Sequence, residues 1–151
     1  MKSLRESFAV AVKRRRLNLG VSQEELALRT SLDRTGISRL ERVAPNITLD
    51  TADSVSRALD SSVPELLGEQ VSKEHKLAAS RDVFAARVRE ERVAHSLTQE
   101  EVGDRAGVDR NYVSDVERGK KNCRLDTVDA FGRGLGVRPL VLLKFDIEIN
   151  E

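Results

Sequence analysis

The sequence is poor in most of the residues that build special chemistry. It has no tryptophan, one tyrosine, four phenylalanines, three prolines and one cysteine. A lone thiol, Cys123, can form neither an internal disulfide nor a structural zinc site, and His75 and His95 stand at no metal-ligand spacing. No metal and no cofactor is therefore expected. With so few rings there is no base-stacking platform of the single-strand kind. The longest apolar run is residues 8–12, far short of the ~20 residues that span a membrane. The opening Met-Lys-Ser-Leu-Arg-Glu has no apolar stretch of the kind that makes a secretory signal. The cytoplasm is the expected location. No Ser/His/Asp or Cys/His set is apparent, so no enzyme is expected. Nor does charge of one sign dominate: 26 Lys and Arg face 25 Asp and Glu, a net +1. Bulk charge alone thus does not point to nucleic acid. What is present, 39% hydrophobic and 34% charged residues over 151 positions, suits one ordinary soluble domain or two small ones.

The chain is written twice. In the register that lays Phe8 on Phe84, residues 5–67 align with 81–143 without a gap, and about a third of the pairs are identical. The identities include Val12/Val88, Arg16/Arg92, Gln23/Gln99, Glu25/Glu101, Asp33/Asp109, Arg34/Arg110, Ser38/Ser114, Glu41/Glu117, Arg42/Arg118 and Asp50/Asp126. Each unit is too long for a solenoid repeat and long enough to be a small domain. Residues 69–80 read as a polar linker.

Each unit parses as five short helices. Phe8, Val12 and Leu17, and in the second unit Phe84, Val88 and Val93, recur at helical spacing. Ser22-Gln23-Glu24-Glu25 and Thr98-Gln99-Glu100-Glu101 are capping boxes, in which the hydroxyl takes the backbone N–H three residues on and the Glu reaches back. Asp33 and Asp109 cap a third helix after a short turn. There Ile37 and Leu40 lie about 60° apart on the helical wheel and form the buried stripe; Thr35, Ser38, Arg39 and Arg42 fall opposite, with Arg34 at the flank. Unit two repeats this with Val113 and Val116 inward and Arg110, Asn111, Ser114, Asp115 and Arg118 outward. Thr48 and Asp126 lie near the start of a fourth helix, and Leu66 and Leu67 sit on a fifth. Two short helices joined by a tight turn, the second capped and polar on one side, form a helix-turn-helix.

The stretches 22–27 and 37–41, and in unit two 97–101 with 113–119 (Val-Ser-Asp-Val-Glu-Arg-Gly), resemble the phage-repressor and Cro-type helix-turn-helix family, often called XRE-type. The resemblance covers each unit almost end to end. It implies an all-α chain of two tandem five-helix repressor-like domains, 1–68 and 81–143, that bind double-stranded DNA. It places Arg34, Thr35 and Arg39, with Ser38 and Arg42 beside them, at base-reading positions. In unit two these are Arg110, Asn111, Ser114, Asp115 and Arg118. Arginine can donate bidentately to guanine, threonine can touch a thymine methyl, asparagine suits adenine, and aspartate can accept from cytosine N4 while repelling phosphate. The resemblance also makes Gln23 and Gln99 phosphate contacts, and Arg16/Glu41 and Arg92/Glu117 internal salt bridges from the first helix to the recognition helix. Lys120 and Lys121 suit backbone phosphates; unit one has Ala44 and Pro45 there and carries Lys13-Arg14-Arg15-Arg16 on its first helix instead.

Unit one departs from the pattern. Ser31 stands where unit two has the turn glycine Gly107, and Val43 where it has Gly119, which predicts weaker binding or a shifted loop. Each unit sums to only +1, so charge must be segregated onto one face and the salt dependence of binding should be modest.

At the C-terminus, residues 143–150 alternate apolar and polar, a strand pattern. A lone strand leaves its backbone unpaired, so the expectation is a strand over 144–151 that pairs Leu143, Phe145, Ile147 and Ile149 with a second copy, giving a homodimer. The linker reaches about 40 Å when extended and half-sites lie ~34 Å apart, so one chain can also act as its own pseudo-dimer, with unlike half-sites. No small-molecule ligand and no membrane partner is expected. The leading reading is a sequence-specific DNA-binding transcriptional regulator, a repressor. The alternative is a protein-interaction module, an antirepressor or antitoxin-like partner-binding protein, that has kept the fold.

Overall fold

Most helix starts in this chain are set by a side chain that accepts the free backbone N–H of the first turn. In the computed structural model, which describes residues 2–145, Ser3 caps α1 (Leu4–Asn18), Ser22 caps α2 (Gln23–Leu28), Asp33 caps α3 (Arg34–Val43), Thr48 caps α4 (Leu49–Ala58) and Ser62 caps α5 (Val63–Leu66). In unit two, α6 (Ser80–Ala94) begins without a cap from its own N-cap residue. Thr98 then caps α7 (Gln99–Ala106) and Asp109 caps α8 (Arg110–Glu117); α9 (Leu125–Leu135) and a 3₁₀ helix (Pro139–Leu143) follow. Both capping boxes form reciprocally, at Ser22/Glu25 and Thr98/Glu101. The linker ahead of α6 runs through turns.

One core runs through both units. Phe8, Val12, Leu26, Ile37, Leu40, Leu49, Val55 and Leu59 from the first join Phe84, Val88, Val102, Val113, Val116, Leu125, Val128, Phe131 and Leu135 from the second. Leu17 and Val93, read from periodicity as part of the inward stripe, are exposed. Each stands five residues past the valine of its stripe, about 140° round the helix, and the inward position on that turn belongs to Arg16 or Arg92, which reaches the recognition helix.

The units meet across a joint whose contacts come in exchanged pairs. The α1 N-terminus is capped by the other unit, Leu4 N donating to Asp129 Oδ2 at 3.1 Å; in return Ser80 N donates to Asp53 Oδ2 at 2.8 Å. Leu49 N donates to Cys123 O at 2.8 Å, and Leu125 N to Ile47 O at 2.9 Å. Asp50 N donates to Asn122 Oδ1 at 3.1 Å, and Asp126 N to Asn46 Oδ1 at 2.9 Å. Arg5 pairs with Asp126 at 3.5 Å, and Arg81 with Asp50 at 3.6 Å. In each pair the second contact is the first with the units interchanged in the Phe8/Phe84 register. At the centre lies the antiparallel bridge between Thr48 and Arg124, which this register lays on each other. This is an isologous joint, the geometry of a two-fold dimer within a single chain.

Asp53 is buried in that joint. Burial pushes its carboxyl above the ordinary value of 3.8, against the pull of hydrogen bonds from the Ser80 hydroxyl and amide and of Arg57 nearby. A carboxyl raised in the fold contributes stability that is fully present below its unfolded value and is lost as pH rises through the folded one. Asp53→Asn keeps an acceptor for Ser80 N and can donate to the hydroxyl, so it is expected to match or exceed the wild-type melting temperature at neutral pH. It is also expected to flatten the fall in stability as pH rises from about 4. Thermal melts over a pH series check this; a neutral-pH loss as large as that of Asp53→Ala would contradict it.

At residues 144 and 145, the described part of the predicted C-terminal strand, no strand forms. Among the described residues the chain is helical, with no strand beyond the single bridge. Leu143 closes the 3₁₀ helix and is buried in the core at 2% exposure. Lys144 pairs with Glu69 at 2.8 Å, and the Phe145 ring lies 4.6 Å from that of His75 in the linker. The alternation came from superposing two unrelated roles: Leu143 repeats the core role of Leu67, while Phe145 covers the linker. Leu143 and Phe145 thus pack against their own chain. Ile147 and Ile149 lie outside the described residues.

Candidate nucleic-acid interface

Two helix-turn-helix pairs, α2/α3 and α7/α8, carry the predicted reading residues. Capping aims each second helix: Asp33 Oδ1 accepts from Gly36 N at 2.7 Å, and Asp109 Oδ1 from Tyr112 N at 2.7 Å. The apolar side then buries Ile37 and Leu40, or Val113 and Val116, completely or nearly so. This turns Arg34, Thr35, Arg39 and Arg42 outward and exposed, with Ser38 half-buried; in unit two Arg110, Asn111 and Arg118 are exposed and Ser114 and Asp115 half-buried. Gln23, Arg34, Thr35, Ser38 and Arg42 line one shallow hollow between α2 and α3. Thr98, Gln99, Glu100 and Arg110 line the corresponding hollow in unit two, with Arg92 and Leu97. The structure thus brings together the glutamine and first-turn arginine of each unit.

Behind each reading face lies a buried ion pair. Arg16 meets Glu41 at 2.7 Å through Nη2 and also donates to Val21 O at 2.9 Å; Arg92 meets Glu117 at 2.9 Å and donates to Leu97 O at 3.1 Å. Donating to the Glu117 carboxylate holds Arg92 above its ordinary value. In unit one Glu41 also accepts from the Gln23 amide at 3.3 Å. One carboxylate therefore fixes the first helix, the recognition helix and the glutamine side chain together.

The two units close their turns differently. Unit two uses glycine at three places, the first being Gly107, which ends α7 in the left-handed conformation at φ 76°. An added Cβ at Gly103 would come within 2.6 Å of the Val108 carbonyl oxygen, so only glycine allows this close approach. Gly119, at φ 72°, ends α8 with Lys120 N on Asp115 O and its own N–H on Val116 O, a Schellman closure. Unit one turns without glycine: the Thr30 hydroxyl accepts from Leu32 N at 3.1 Å and donates to Ala27 O at 3.2 Å. Its recognition helix runs on to Val43, and Ala44 takes the left-handed conformation at φ 50°. The loop after α3 is thereby shifted relative to that after α8, where Lys120 is exposed and Lys121 lies 5.4 Å over the Tyr112 ring. Burial and the Cys123 thiol push the Tyr112 hydroxyl up to about 12.

Charge also differs on the first helices. In unit two, Arg87 holds Glu90 at 2.6 Å and Glu91 at 3.2 Å, whereas unit one exposes Lys13 and Arg14.

Comparison with known proteins agrees with this geometry. Residues 83–144 match the family described as "Helix-turn-helix domain", and residues 12–66 the family described as "Helix-turn-helix". The chain is 38% identical over 64 residues to Control protein C.BamHI of Bacillus amyloliquefaciens, covering 79% of that protein and 42% of this chain. It belongs to the XRE-type helix-turn-helix family of DNA-binding transcription regulators. It is also 40% identical over 67 residues to Control protein C.SmaI of Serratia marcescens, covering 80% of that protein and 44% of this chain. With the cryptic phage CTXphi transcriptional repressor RstR of Vibrio cholerae it shares 35% over 68 residues, 60% of that protein and 45% of this chain. Among the described residues no helix is long and apolar enough to cross a membrane.

The joint was missed by sequence reasoning. Asn46/Asn122, Asp53/Asp129 and Arg5/Arg81 are identical in the two units, yet nothing in a single helix-turn-helix unit requires them. Identity between copies at positions with no role inside one copy is the signal that could have found it.

Proposed function

We propose that the chain is a cytoplasmic transcriptional repressor that reads two major-groove half-sites with non-identical recognition helices, α3 and α8. Two domains, 1–68 and 81–143, joined by residues 69–80, would each supply one. The observation that carries this reading is the pair of capped, outward-facing helices, each opening on an exposed arginine, Arg34 or Arg110, beside a glutamine at the start of the preceding helix. Arg34, Thr35, Ser38, Arg39 and Arg42 would contact one half-site; Arg110, Asn111, Ser114, Asp115 and Arg118 the other. Gln23, Gln99, Lys120 and Lys121 would hold phosphates. The described residues carry two reading faces and little else, so occupancy of the duplex is the action they support, which is repression. The relative named as a transcriptional repressor fits this direction.

Selection from a pool of random duplexes, followed by fluorescence anisotropy on the enriched sequence, tests the reading. Arg34→Ala and Arg110→Ala are each expected to relax preference at one base position and cost about 1–3 kcal/mol of binding. An equal loss on all sequences would make those arginines phosphate contacts. No enrichment and no binding even at low salt would favour a protein-interaction module.

A further inference from the structure

We infer that a single chain is a complete reading unit, which binds one site of two unequal half-sites in inverted order and does so in one fixed orientation. This rests on the DNA-reading function proposed above. The inference starts from the exchanged contacts of the joint. Leu4 N on Asp129 is answered by Ser80 N on Asp53, and Asp50 N on Asn122 by Asp126 N on Asn46. Repeats stacked head to tail make each contact once; contacts that come in swapped pairs require a half-turn between the units. Helices α3 and α8 are then related by the same half-turn, so the site that fits both is an inverted repeat and not a direct one.

The half-turn holds at the joint and is only partly kept at the reading faces, where Arg34/Arg110, Ser38/Ser114 and Arg42/Arg118 stay identical and the other positions differ. Asn46/Asn122, Asp50/Asp126, Asp53/Asp129 and Arg5/Arg81 are identical. Outward on the recognition helices, Thr35 stands against Asn111 and Arg39 against Asp115, and Ala44 and Pro45 oppose Lys120 and Lys121. Arginine and aspartate at one position favour opposite partners, a guanine edge and a cytosine amine. A homodimer cannot make its halves differ, because both are one sequence; a fused pair can. The surface through which either unit would pair with a copy of itself is occupied inside the chain. No second chain is required, and the flank bearing Lys120 and Lys121 always falls on the same side of the site.

The test uses the full chain and the duplex that selection enriches from a random pool. Two symmetrised duplexes are added, each made by replacing one half with the inverted copy of the other. Native mass spectrometry is expected to show one chain per duplex, and binding isotherms a slope of one in protein concentration. Each symmetrised duplex should bind about tenfold or more weakly than the enriched one. Arg34→Ala should alter preference in one half only and Arg110→Ala in the other half only. Two chains per duplex, or Arg110→Ala altering both halves while Arg34→Ala alters neither, would overturn the inference and leave DNA reading intact; so would equal affinity for all three duplexes. Failure to enrich any duplex would overturn the DNA reading itself, and the inference with it.

Discussion

Glu117→Ala is expected to remove about 3–5 kcal/mol of folding stability, as does truncating one partner of a buried ion pair elsewhere. The carboxylate is 5% exposed and its partner Arg92 18%. Without Glu117 the guanidinium keeps only its hydrogen bond to the Leu97 carbonyl and is left as a charge largely shielded from water. Glu41→Ala should behave alike in unit one, where Arg16 would retain only Val21 O. The cost lies in the stranded charge rather than in the net worth of the pair, and this gives a control. Replacing both partners with apolar residues of similar length, Arg16→Met with Glu41→Leu, is expected to recover most of the lost stability. It should not recover binding to the same degree, because Glu41 also holds the Gln23 amide beside the recognition helix. Urea unfolding and duplex binding measured on the same three proteins check both halves of the argument. Recovery of stability and affinity together would show that Glu41 has no positioning role.

Much of this architecture is written in local signals. Hydroxyls and carboxylates at Ser22, Asp33, Thr98 and Asp109 mark helix starts because each accepts a backbone donor two or three residues away, and sequence neighbours suffice to predict that. The inward set Ile37, Leu40, Val113 and Val116 follows from helical period alone, and so does the exposure of Arg34 and Arg110 on the other side. What escaped was set by contacts distant along the chain. A spacing of two from Leu143 puts Phe145 on one face of a strand, whereas its ring packs against His75, far upstream in the linker. Leu17 and Val93 stand five residues beyond Val12 and Val88, about 140° off the stripe, and the inward place on that turn is held by Arg16 and Arg92, whose partners Glu41 and Glu117 are distant in sequence. The joint depends on Asp53 and Asp129 capping helices of the opposite unit, a relation with no local pattern.

Phe131→Ala is expected to cost about 3–5 kcal/mol, and to do so for the whole chain. Phe131 is fully buried, edge-on to Phe84 at 5.4 Å and 6.4 Å from Tyr112 on the recognition helix. Val55 stands at its place in unit one, so the aromatic cluster is peculiar to unit two. If the units were beads on a string, the loss would fall on unit two alone and two melting steps would separate. The shared core and the exchanged backbone contacts of the joint tie them, so a single transition should shift down by roughly 6–20 °C. The sequence supplies its own reporter: Tyr112 is the one tyrosine and there is no tryptophan, so intrinsic fluorescence follows unit two while far-ultraviolet circular dichroism follows both. Coincident transitions by the two probes are the expected result. An early fluorescence transition beneath an unshifted later one would mean that the joint does not couple the units, and a weakly coupled joint would leave the spacing of the two recognition helices to the DNA instead of the protein. Coincidence would instead make that spacing a property of the fold, with α3 and α8 held in register before any duplex is met.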